Sequence, residues 1–405
     1  MKILRKFMIF AVLFMISCTA VAPSPTLVVS TSTPVPATPT ALQPSTSTPT
    51  LEPTATQLPP TLTPTPSYPL EGYGPTGFPS NINPLTGLEM KDPSVMNRRP
   101  VIVKVENLPR SDRPQWGLNS ADIVYEYYTE LGTTRFAALY FGDDSKQVGP
   151  IRSARLFDIN LVRGYGAMFI FGSAYEGTYN RLVSSEFYQR LMIENSNTVG
   201  VISRIEPNSH NYEVADTSQV NAYTQRMGID NTRPNLEGMF FQMQKPDGGK
   251  ESESTYVRFS SAIYNRWDYD SASQKYARFS DEDNAYSPDQ EKYLQLVDRN
   301  TDSPIQADNV VVIYVRHTDI DTRPSVEVLD VSLLGTGKAF VLRDGMLYEV
   351  TWSRQTESSV LTFLNADGTP FPLKPGNTWV EVLAYNSIME QQKDGAFRFT
   401  FMPDW

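Results

Sequence analysis

Apolar runs with strand-like alternation are interspersed with helix-compatible stretches over residues 81–245. The runs rich in β-branched and aromatic residues predict strands at 101–105, 123–129, 135–141, 167–171 and, more briefly, 199–202. The patterns at 152–164 and 178–188 are compatible with helices. Strands that alternate with helices predict a mixed α/β domain over residues 81–245.

The pattern changes beyond the hydrophilic stretch 244–252. Strands are predicted at 256–259, 263–269, 275–279, 310–315, 326–333, 338–343, 347–352, 360–363 and 379–383. Turn residues such as Asp344-Gly345 separate many of them, and no helix of comparable length appears. We therefore expect a mostly-β domain over residues 255–390, a sandwich or a barrel. The expected fold class is α+β, with a mixed α/β domain first and a mostly-β domain second.

The N-terminal 18 residues have the pattern of a lipoprotein signal peptide. A basic start precedes an apolar run of about ten residues, too short for the roughly 20 helical residues that span a bilayer. The run ends in Ser17-Cys18, which resembles a bacterial lipobox, and Cys18 is the only cysteine of the chain. An ordinary secretory signal with an incidental cysteine is the alternative. We expect lipidation at Cys18, with anchoring at the extracytoplasmic face of the cell membrane.

Residues 19–80 are predicted to form a disordered tether rich in proline and threonine. Of the 31 prolines in the chain, 13 lie between residues 19 and 70, where Glu52 is the only charged residue. Such a composition cannot bury a core and favours polyproline II structure. Its reach is between roughly 40 Å as a coil and roughly 160 Å when extended.

Charge and composition exclude several classes of function. The 405-residue chain has a formal net charge of −10, which argues against a nucleic-acid partner and against electrostatic adhesion to anionic lipid. A single cysteine and two histidines leave no disulfide within the chain and no Cys-based or all-His metal site. Phosphate-binding glycine motifs are absent from the sequence. We therefore expect neither a cofactor nor a metal ion.

The densest candidate for a binding site is the loop of residues 149–155, hereafter the arginine loop. Arg152 and Arg155 are three residues apart at a predicted helix start, where they would share a face and where free backbone N–H groups add to an anion site. Arg135 on a returning strand and Ser153 could complete it. Alternatively, these arginines form internal ion pairs with three acidic residues, Asp122, Glu126 and Asp158.

An enzymatic interpretation depends on a histidine in a second loop. His210 is the best candidate for a general base, and a cell-wall hydrolase would combine it with carboxylates from Asp122, Glu126 or Asp158. No Gly-x-Ser-x-Gly nucleophile motif is present. His317 lies in a β-rich region, where we expect it at the surface.

A resemblance to a known family follows from an ordered series of motifs. These are 83–87 (NPLTG), 99–100 (RP), 121–126 (ADIVYE), 134–136 (TRF), 149–155 (GPIRSAR), 210–211 (HN), 308–312 (DNVVV), 350–352 (VTW) and 374–380 (KPGNTWV). They resemble the YerB-like lipoprotein family, domain of unknown function 3048, over roughly residues 81–385. The resemblance implies a bacterial envelope lipoprotein with an α+β first half and a β-rich second half. It brings no known activity.

The function expected from the sequence is therefore binding rather than catalysis. We expect a membrane-anchored extracytoplasmic lipoprotein that binds an anionic cell-wall component or an envelope protein. The candidate binding residues are Arg135, Arg152, Ser153, Arg155, His210 and Asn211. The alternative is the cell-wall hydrolase that uses His210. An enzyme should keep its acids free in an open cleft, whereas a binding module should expose its arginines.

Overall fold

Three short α-helices accompany the strands of the first half. The computed structural model of the chain describes residues 68–205, 212–321, 323 and 326–405. The α-helices are α1 (Leu156–Gly164), α2 (Glu176–Val183) and α3 (Val220–Met227). The 3-10 helices are Pro93–Met96, Arg110–Asp112, Leu118–Ser120, Tyr188–Arg190, Thr217–Gln219, Pro288–Gln290 and Lys393–Gly395.

Strands make up most of the rest of the described chain. In the first half they are β1 (Val101–Glu106), β2 (Ile123–Tyr128), β3 (Thr134–Tyr140), β4 (Met168–Ile170), β5 (Leu191–Met192), β6 (Ile202–Arg204), β7 (Glu213–Ala215) and β8 (Phe240–Phe241). In the second half they are β9 (Lys250–Glu251), β10 (Ser254–Arg258), β11 (Tyr264–Asp270), β12 (Lys275–Asp281), β13 (Tyr293–Gln295), β14 (Val297–Asp298), β15 (Ser303–Pro304), β16 (Gln306–Ala307), β17 (Asn309–Asp319), β18 (Leu329–Ser332), β19 (Gly335–Arg343), β20 (Met346–Arg354), β21 (Thr362–Leu364), β22 (Pro372–Leu373), β23 (Thr378–Ala384), β24 (Ile388–Gln391) and β25 (Phe397–Thr400).

Two large sheets organise the described residues. The first has twelve strands in the order β21-β20-β19-β17-β23-β2-β3-β1-β4-β5, with β18 beside β17 and β9 beside β20. The second has seven strands in the order β13-β12-β11-β10-β25-β24, with β16 beside β12. A mixed sheet with three helices and a separate, mostly-β sheet from the C-terminal region confirm the predicted fold class.

The twelve-stranded sheet draws strands from both halves of the sequence. β2 pairs with β3 in antiparallel fashion and with β23 in parallel fashion, so that Val124 lies opposite Trp379. On its other side β23 pairs in parallel with β17, so the sheet continues into strands from the second half of the chain. The division of the chain into residues 81–245 and 255–390 stays a prediction, although hydrogen-bonded strands from the two ranges are neighbours in this sheet.

Both faces of the large sheet are covered, which explains why every residue of β2 is buried. Tyr125 and Tyr127 point to one face, where their rings lie 6.2 and 4.5 Å from the ring of Phe157 in α1. On the other face, Trp379 of β23 packs edge-on against Trp267 of β11 at 5.2 Å. Neighbouring residues of a strand point to opposite faces, so successive positions of β2 reach different layers.

Two helical regions differ from the sequence pattern. The helix predicted from residue 152 begins at Leu156, and α3 was not predicted. Only Val220, Tyr223 and Thr224 of α3 are buried. A helix of 8 residues with so few buried positions does not show a repeated apolar period in the sequence. It ends at Met227, and the following residue, Gly228, has a φ of +66°, which glycine readily adopts. The predicted helix 178–188 is shorter and corresponds to α2, and the strand predicted at 199–202 is displaced to β6.

Candidate functional site

The arginine loop approaches α1 in extended conformation. Arg155 precedes the first helical residue with a φ of −130°, and its backbone N–H donates to Asp158 Oδ2 at 2.7 Å. A carboxylate in the first turn satisfies an otherwise free N–H and fixes where the helix begins. Arg152 lies outside the helix, because its backbone N–H donates to the Lys104 carbonyl at 2.9 Å. Arg152 and Arg155 therefore do not share a helix face, contrary to the prediction.

One carboxylate serves two of the candidate arginines. Glu130 lies just after β2 and accepts hydrogen bonds from Arg155 Nε at 2.5 Å, from Arg155 Nη2, and from Arg135 Nη2 at 3.2 Å. Arg135 also donates to the Ser153 carbonyl at 2.8 Å. Burial alone would raise the pKa of Glu130, but hydrogen bonds and charge from Arg155, with the charge of Arg135, hold that pKa below its usual value. The cluster carries two guanidinium charges against one carboxylate.

Arg152 and Ser153, the other polar residues of the arginine loop, are partly exposed to solvent. Arg152 is 29% exposed and pairs with Glu106, whose side chain is 3% exposed. Burial raises the pKa of Glu106 to about 7, although Arg152 opposes the shift. The Ser153 hydroxyl is exposed and lies 2.8 Å from the Ser173 hydroxyl. The structure thus brings Arg135, Ser153 and Arg155 together, with Arg152 beside them.

The internal partners of the arginines differ from those that the sequence suggested. Asp122, Glu126 and Asp158 do not pair with the guanidinium groups of the arginine loop; Glu130 and Glu106 do. Glu106 is the last residue of β1, and Glu130 is the second residue after the end of β2. An acidic residue at the end of a predicted strand was the sequence signal that could have indicated these two glutamates as partners of the arginine loop.

Asp158 belongs to a fully buried cluster beneath the loop. Its Oδ1 accepts a hydrogen bond from the Tyr127 hydroxyl at 2.5 Å and lies 3.4 Å from Lys104 Nζ. Lys104 Nζ also contacts the Tyr127 hydroxyl. Burial lowers the pKa of Lys104 to about 7, while Asp158 opposes the shift. With Lys104 and Asp158 both 0% exposed, this cluster has a structural role in joining β1, β2 and α1.

Glu126 lies on the opposite face of β2, between the two sheets. Its Oε2 lies 2.5 Å from Arg278 Nη2 of β12, and Arg278 Nη1 lies 3.0 Å from Glu381 Oε1 of β23. All three side chains are at most 1% exposed. The carboxyl of Glu126 is therefore held in the core by an ion pair rather than presented to solvent.

Asp122 lies beside a cavity of about 580 Å³. Its carboxylate accepts hydrogen bonds from Asn83 Nδ2 at 2.6 Å and from the backbone N–H of Phe141 at 2.6 Å. Burial raises the pKa of Asp122 to about 6, although the N–H groups of Gly142 and Phe141 oppose the shift. Asp122 is 5% exposed, and its hydrogen bonds fasten the N-terminal turn to the end of β3.

The same cavity brings together motifs from both halves of the chain, which the sequence did not indicate as one site. Its wall includes Asn83, Thr86, Asp122, Gly142, Asp308 and Asn377. The Gly376 N–H donates to the Thr86 carbonyl at 2.8 Å, and the Asn377 N–H donates to Asp308 Oδ2 at 3.1 Å. The first bond ties the entry turn at residues 83–87 to the turn before β23, and the second ties that turn to the residue before β17. Much of this polar sequence therefore serves the architecture.

The structure tests the prediction for one of the two histidines and not for the other. His210 and Asn211 lie outside the described residues, and their candidate roles stay predictions. His317 was expected at the surface, but it is 1% exposed on β17, in contact with the rings of Phe401 and Trp405. Burial lowers the pKa of His317 to about 4. The expectation was wrong because the alternating pattern of a strand does not show which chain segment covers its outer face.

The described residues contain neither a metal-binding cluster nor a membrane-spanning helix. No group of three or more His, Cys, Asp or Glu side chains among them is arranged to hold a metal ion. Nor does any helix in that part of the chain have the length and apolar character required to cross a bilayer.

The architecture defines an α+β protein in which a helix-flanked mixed sheet is backed by a second sheet from the C-terminal region. Residues 85–232 match the family model described as protein of unknown function (DUF3048) N-terminal domain, and residues 255–380 match the DUF3048 C-terminal domain. The chain therefore belongs to the DUF3048 family, which confirms the resemblance seen in its motifs.

A Bacillus subtilis protein is similar in sequence and in fold. The protein named "Putative lipoprotein YerB" of Bacillus subtilis (strain 168) is 28% identical over 308 residues, which are 74% of this chain and 85% of that protein. The crystal structure of YerB protein from Bacillus subtilis matches with a TM-score of 0.62 at 25% identity. That match covers 75% of this chain and 96% of the solved chain.

Proposed function

We propose that this protein is a lipid-anchored extracytoplasmic lipoprotein that binds an anionic component of the cell wall or an envelope protein through its arginine loop. The observation that carries the proposal is the shared carboxylate. Arg135 and Arg155, which are 17% and 19% exposed, have Glu130 as their common partner. Two guanidinium groups thus share one side-chain carboxylate at a surface that solvent reaches, where a carboxylate or phosphate group of a ligand can accept further hydrogen bonds from them.

The surroundings of the loop favour a polymeric or protein ligand over a small ion. The exposed Ser153 and Ser173 hydroxyls offer further hydrogen bonds. Ala154 forms a bridge with Ala174, which places the start of α2 next to the loop. Tyr175 and Tyr179 of that segment are 43% and 37% exposed. A surface that combines arginine, hydroxyl and tyrosine groups suits recognition of an extended ligand.

A hydrolytic function receives no comparable support from the described residues. Glu126 and Asp158 are fully buried, and Asp122 is held by hydrogen bonds at the wall of a separate cavity. Asp122 and Asp158 have separate partners, Asn83 and Tyr127. We therefore retain binding as the proposed function.

The binding proposal is tested by thermal melts of the full chain with and without soluble cell-wall fragments. Fragments should raise the melting temperature of the wild type, and Arg155→Ala should reduce that shift because one of the two guanidinium forks is lost. Arg226→Ala is the matched control, since Arg226 lies on α3 and donates to the Asn197 carbonyl instead. An equal shift in wild type and Arg155→Ala would place the binding surface elsewhere.

Anchoring is proposed through Cys18, in agreement with the name of the Bacillus subtilis relative. Cys18→Ala should release the protein to the medium or leave an unprocessed precursor, because acylation of the thiol precedes cleavage at a lipobox. Cell fractionation and mass spectrometry of the N-terminus check this outcome. Retention in the membrane with a mature N-terminus other than residue 18 would contradict the proposal.

A further inference from the structure

A second concave surface lies at the C-terminal end of α1. This cleft has a volume of about 620 Å³ and is formed by the end of α1, the 3-10 helix Tyr188–Arg190, the segment 234–237 and the turn at 357–359. Three arginines line it, namely Arg99, Arg163 and Arg190. Its volume is within the range of sites for small ligands. None of these arginines belongs to the arginine loop.

Two of the three arginines have carboxylate partners at the rim. Arg99 Nη2 lies 2.5 Å from Asp230 Oδ2, and Arg163 Nε lies 2.8 Å from Glu186 Oε1. The side chains of Asp230 and Glu186 are 64% and 61% exposed. Ion pairs with such exposed carboxylates contribute little, and water or another anion competes with them readily.

Arg190 differs from both. Among the described residues its guanidinium has no carboxylate within 4.0 Å and no hydrogen-bond acceptor, and its contact is the ring of Phe187 at 5.3 Å. Burial, and then the positive charge of Arg99, lowers the pKa of Arg190 to about 10, while the charges of Glu186 and Asp230 oppose the shift. A partly buried guanidinium next to a like charge is unfavourable unless an anion accepts its N–H groups.

The acidic residues of the cleft do not fill this role. Glu237 Oε1 accepts from the backbone N–H groups of Gly77 at 3.1 Å and Phe78 at 3.2 Å. Glu186 and Glu357 are the partners of Arg163. The three glutamates of the cleft therefore have other partners, and no described residue accepts a hydrogen bond from the Arg190 guanidinium.

We infer that this cleft is an anion-binding site in which Arg190, with Arg99 beside it, binds a phosphate or carboxylate group of a ligand. The inference is independent of the proposed function, since it depends on a different surface and on different residues. A planar guanidinium fork that is not already paired can bind either anion by donating two parallel hydrogen bonds to it. The two ligand classes are distinguished by the probes of the experiment.

The test measures binding of inorganic phosphate and of succinate to the full chain by titration calorimetry, at ionic strength matched with chloride. At least one of the two anions should bind, and Arg190→Gln should weaken that binding by about tenfold or more. Arg181→Gln, an exposed arginine of α2, is the matched control for loss of one charge and should bind like the wild type. The loss caused by Arg190→Gln should be the same in an Arg155→Ala background, which separates this cleft from the arginine loop.

Stability in anion-free buffer gives a second readout. Arg190→Gln removes a charge that forms no ion pair within the described residues, so the variant should be as stable as the wild type or more stable. Binding of phosphate alone or of succinate alone supports the site and names the ligand class. No binding of either anion, unchanged binding by Arg190→Gln, or a marked loss of stability in that variant would overturn the inference.

Discussion

The pair of buried glutamates between the two sheets predicts a pH-dependent stability that one substitution should remove. Glu126 and Glu381 are both 0% exposed and share the single guanidinium of Arg278. Burial, and then the charge of Glu126, raises the pKa of Glu381 to about 8. Glu381 Oε2 and Asn265 Oδ1 are buried acceptors without a donor among the described residues, and a protonated carboxyl would add one. We therefore expect the folded protein to hold a proton on Glu381 at neutral pH.

The direction and the size of this pH dependence of stability follow from proton linkage. The pKa of Glu381 is 4.5 before the folded environment acts on it and about 8 in the folded protein. The folded state thus binds the extra proton between these values, so this stability is fully present below the unfolded pKa and is lost as pH rises through about 8. The slope is at most about 1.4 kcal/mol per pH unit. Between about pH 6 and about pH 8.5 the loss should be roughly 2–3 kcal/mol.

Glu381→Gln isolates this contribution. The amide is neutral, has the shape of the protonated acid, and keeps an oxygen to accept from Trp267 Nε1, which lies 2.8 Å from Glu381 Oε1. The free energy of unfolding, measured by urea titration of the full chain, should be similar for both proteins near pH 6. Near pH 8.5 the wild type should have lost roughly 2–3 kcal/mol relative to the variant.

The difference between the two proteins is the informative quantity, because other titrating groups cancel in it. Glu349→Gln is the matched control, since Glu349 is 63% exposed and pairs with Lys338 at the surface. Its difference from the wild type should change little with pH. A difference between wild type and Glu381→Gln that stays constant from about pH 6 to about pH 8.5 would show that Glu381 is ionised throughout, and would refute the reasoning.

Three other substitutions test the packing around the same sheet. Arg278→Met should lower the free energy of unfolding, measured in urea, by about 3–5 kcal/mol, because it leaves the Glu126 carboxylate buried without a cation; a cost near zero would contradict the ion-pair assignment. Arg155→Ala should lower the free energy of unfolding by only about 1–2 kcal/mol in the same measurement, because Glu130 keeps its ion pair with Arg135. A variant that fails to fold would disprove this. Gly376→Ala should lower the free energy of unfolding by at least about 2 kcal/mol in thermal melts, because Gly376 has a φ of +141° and an added Cβ would clash with Asp308 Oδ2. An unchanged melting temperature would exclude that clash.

The sequence alone determined the elements that short-range physics controls. The runs of β-branched and aromatic residues at 101–105 and 123–129 became β1 and β2 within one residue at each end. The turn residues Asp344-Gly345 lie between β19 and β20, where Asp344 and Gly345 have φ of 52° and 74°. Such signals are local, because alternation and turn chemistry depend on neighbours in the chain. The motif order likewise sufficed to indicate the family.

Only the tertiary structure decided which charges meet. The sequence offered Asp122, Glu126 and Asp158 as partners of the arginine loop, yet the partners are Glu130 and Glu106. Pairing of side chains depends on which strand ends and layers become neighbours, and one residue along a strand reverses the face on which a side chain lies. The parallel pairing of β2 with β23, which brings Glu126 near Glu381, joins residues more than 250 positions apart. No local pattern encodes that distance, so the buried charge cluster and the Arg190 cleft became visible only in the folded chain.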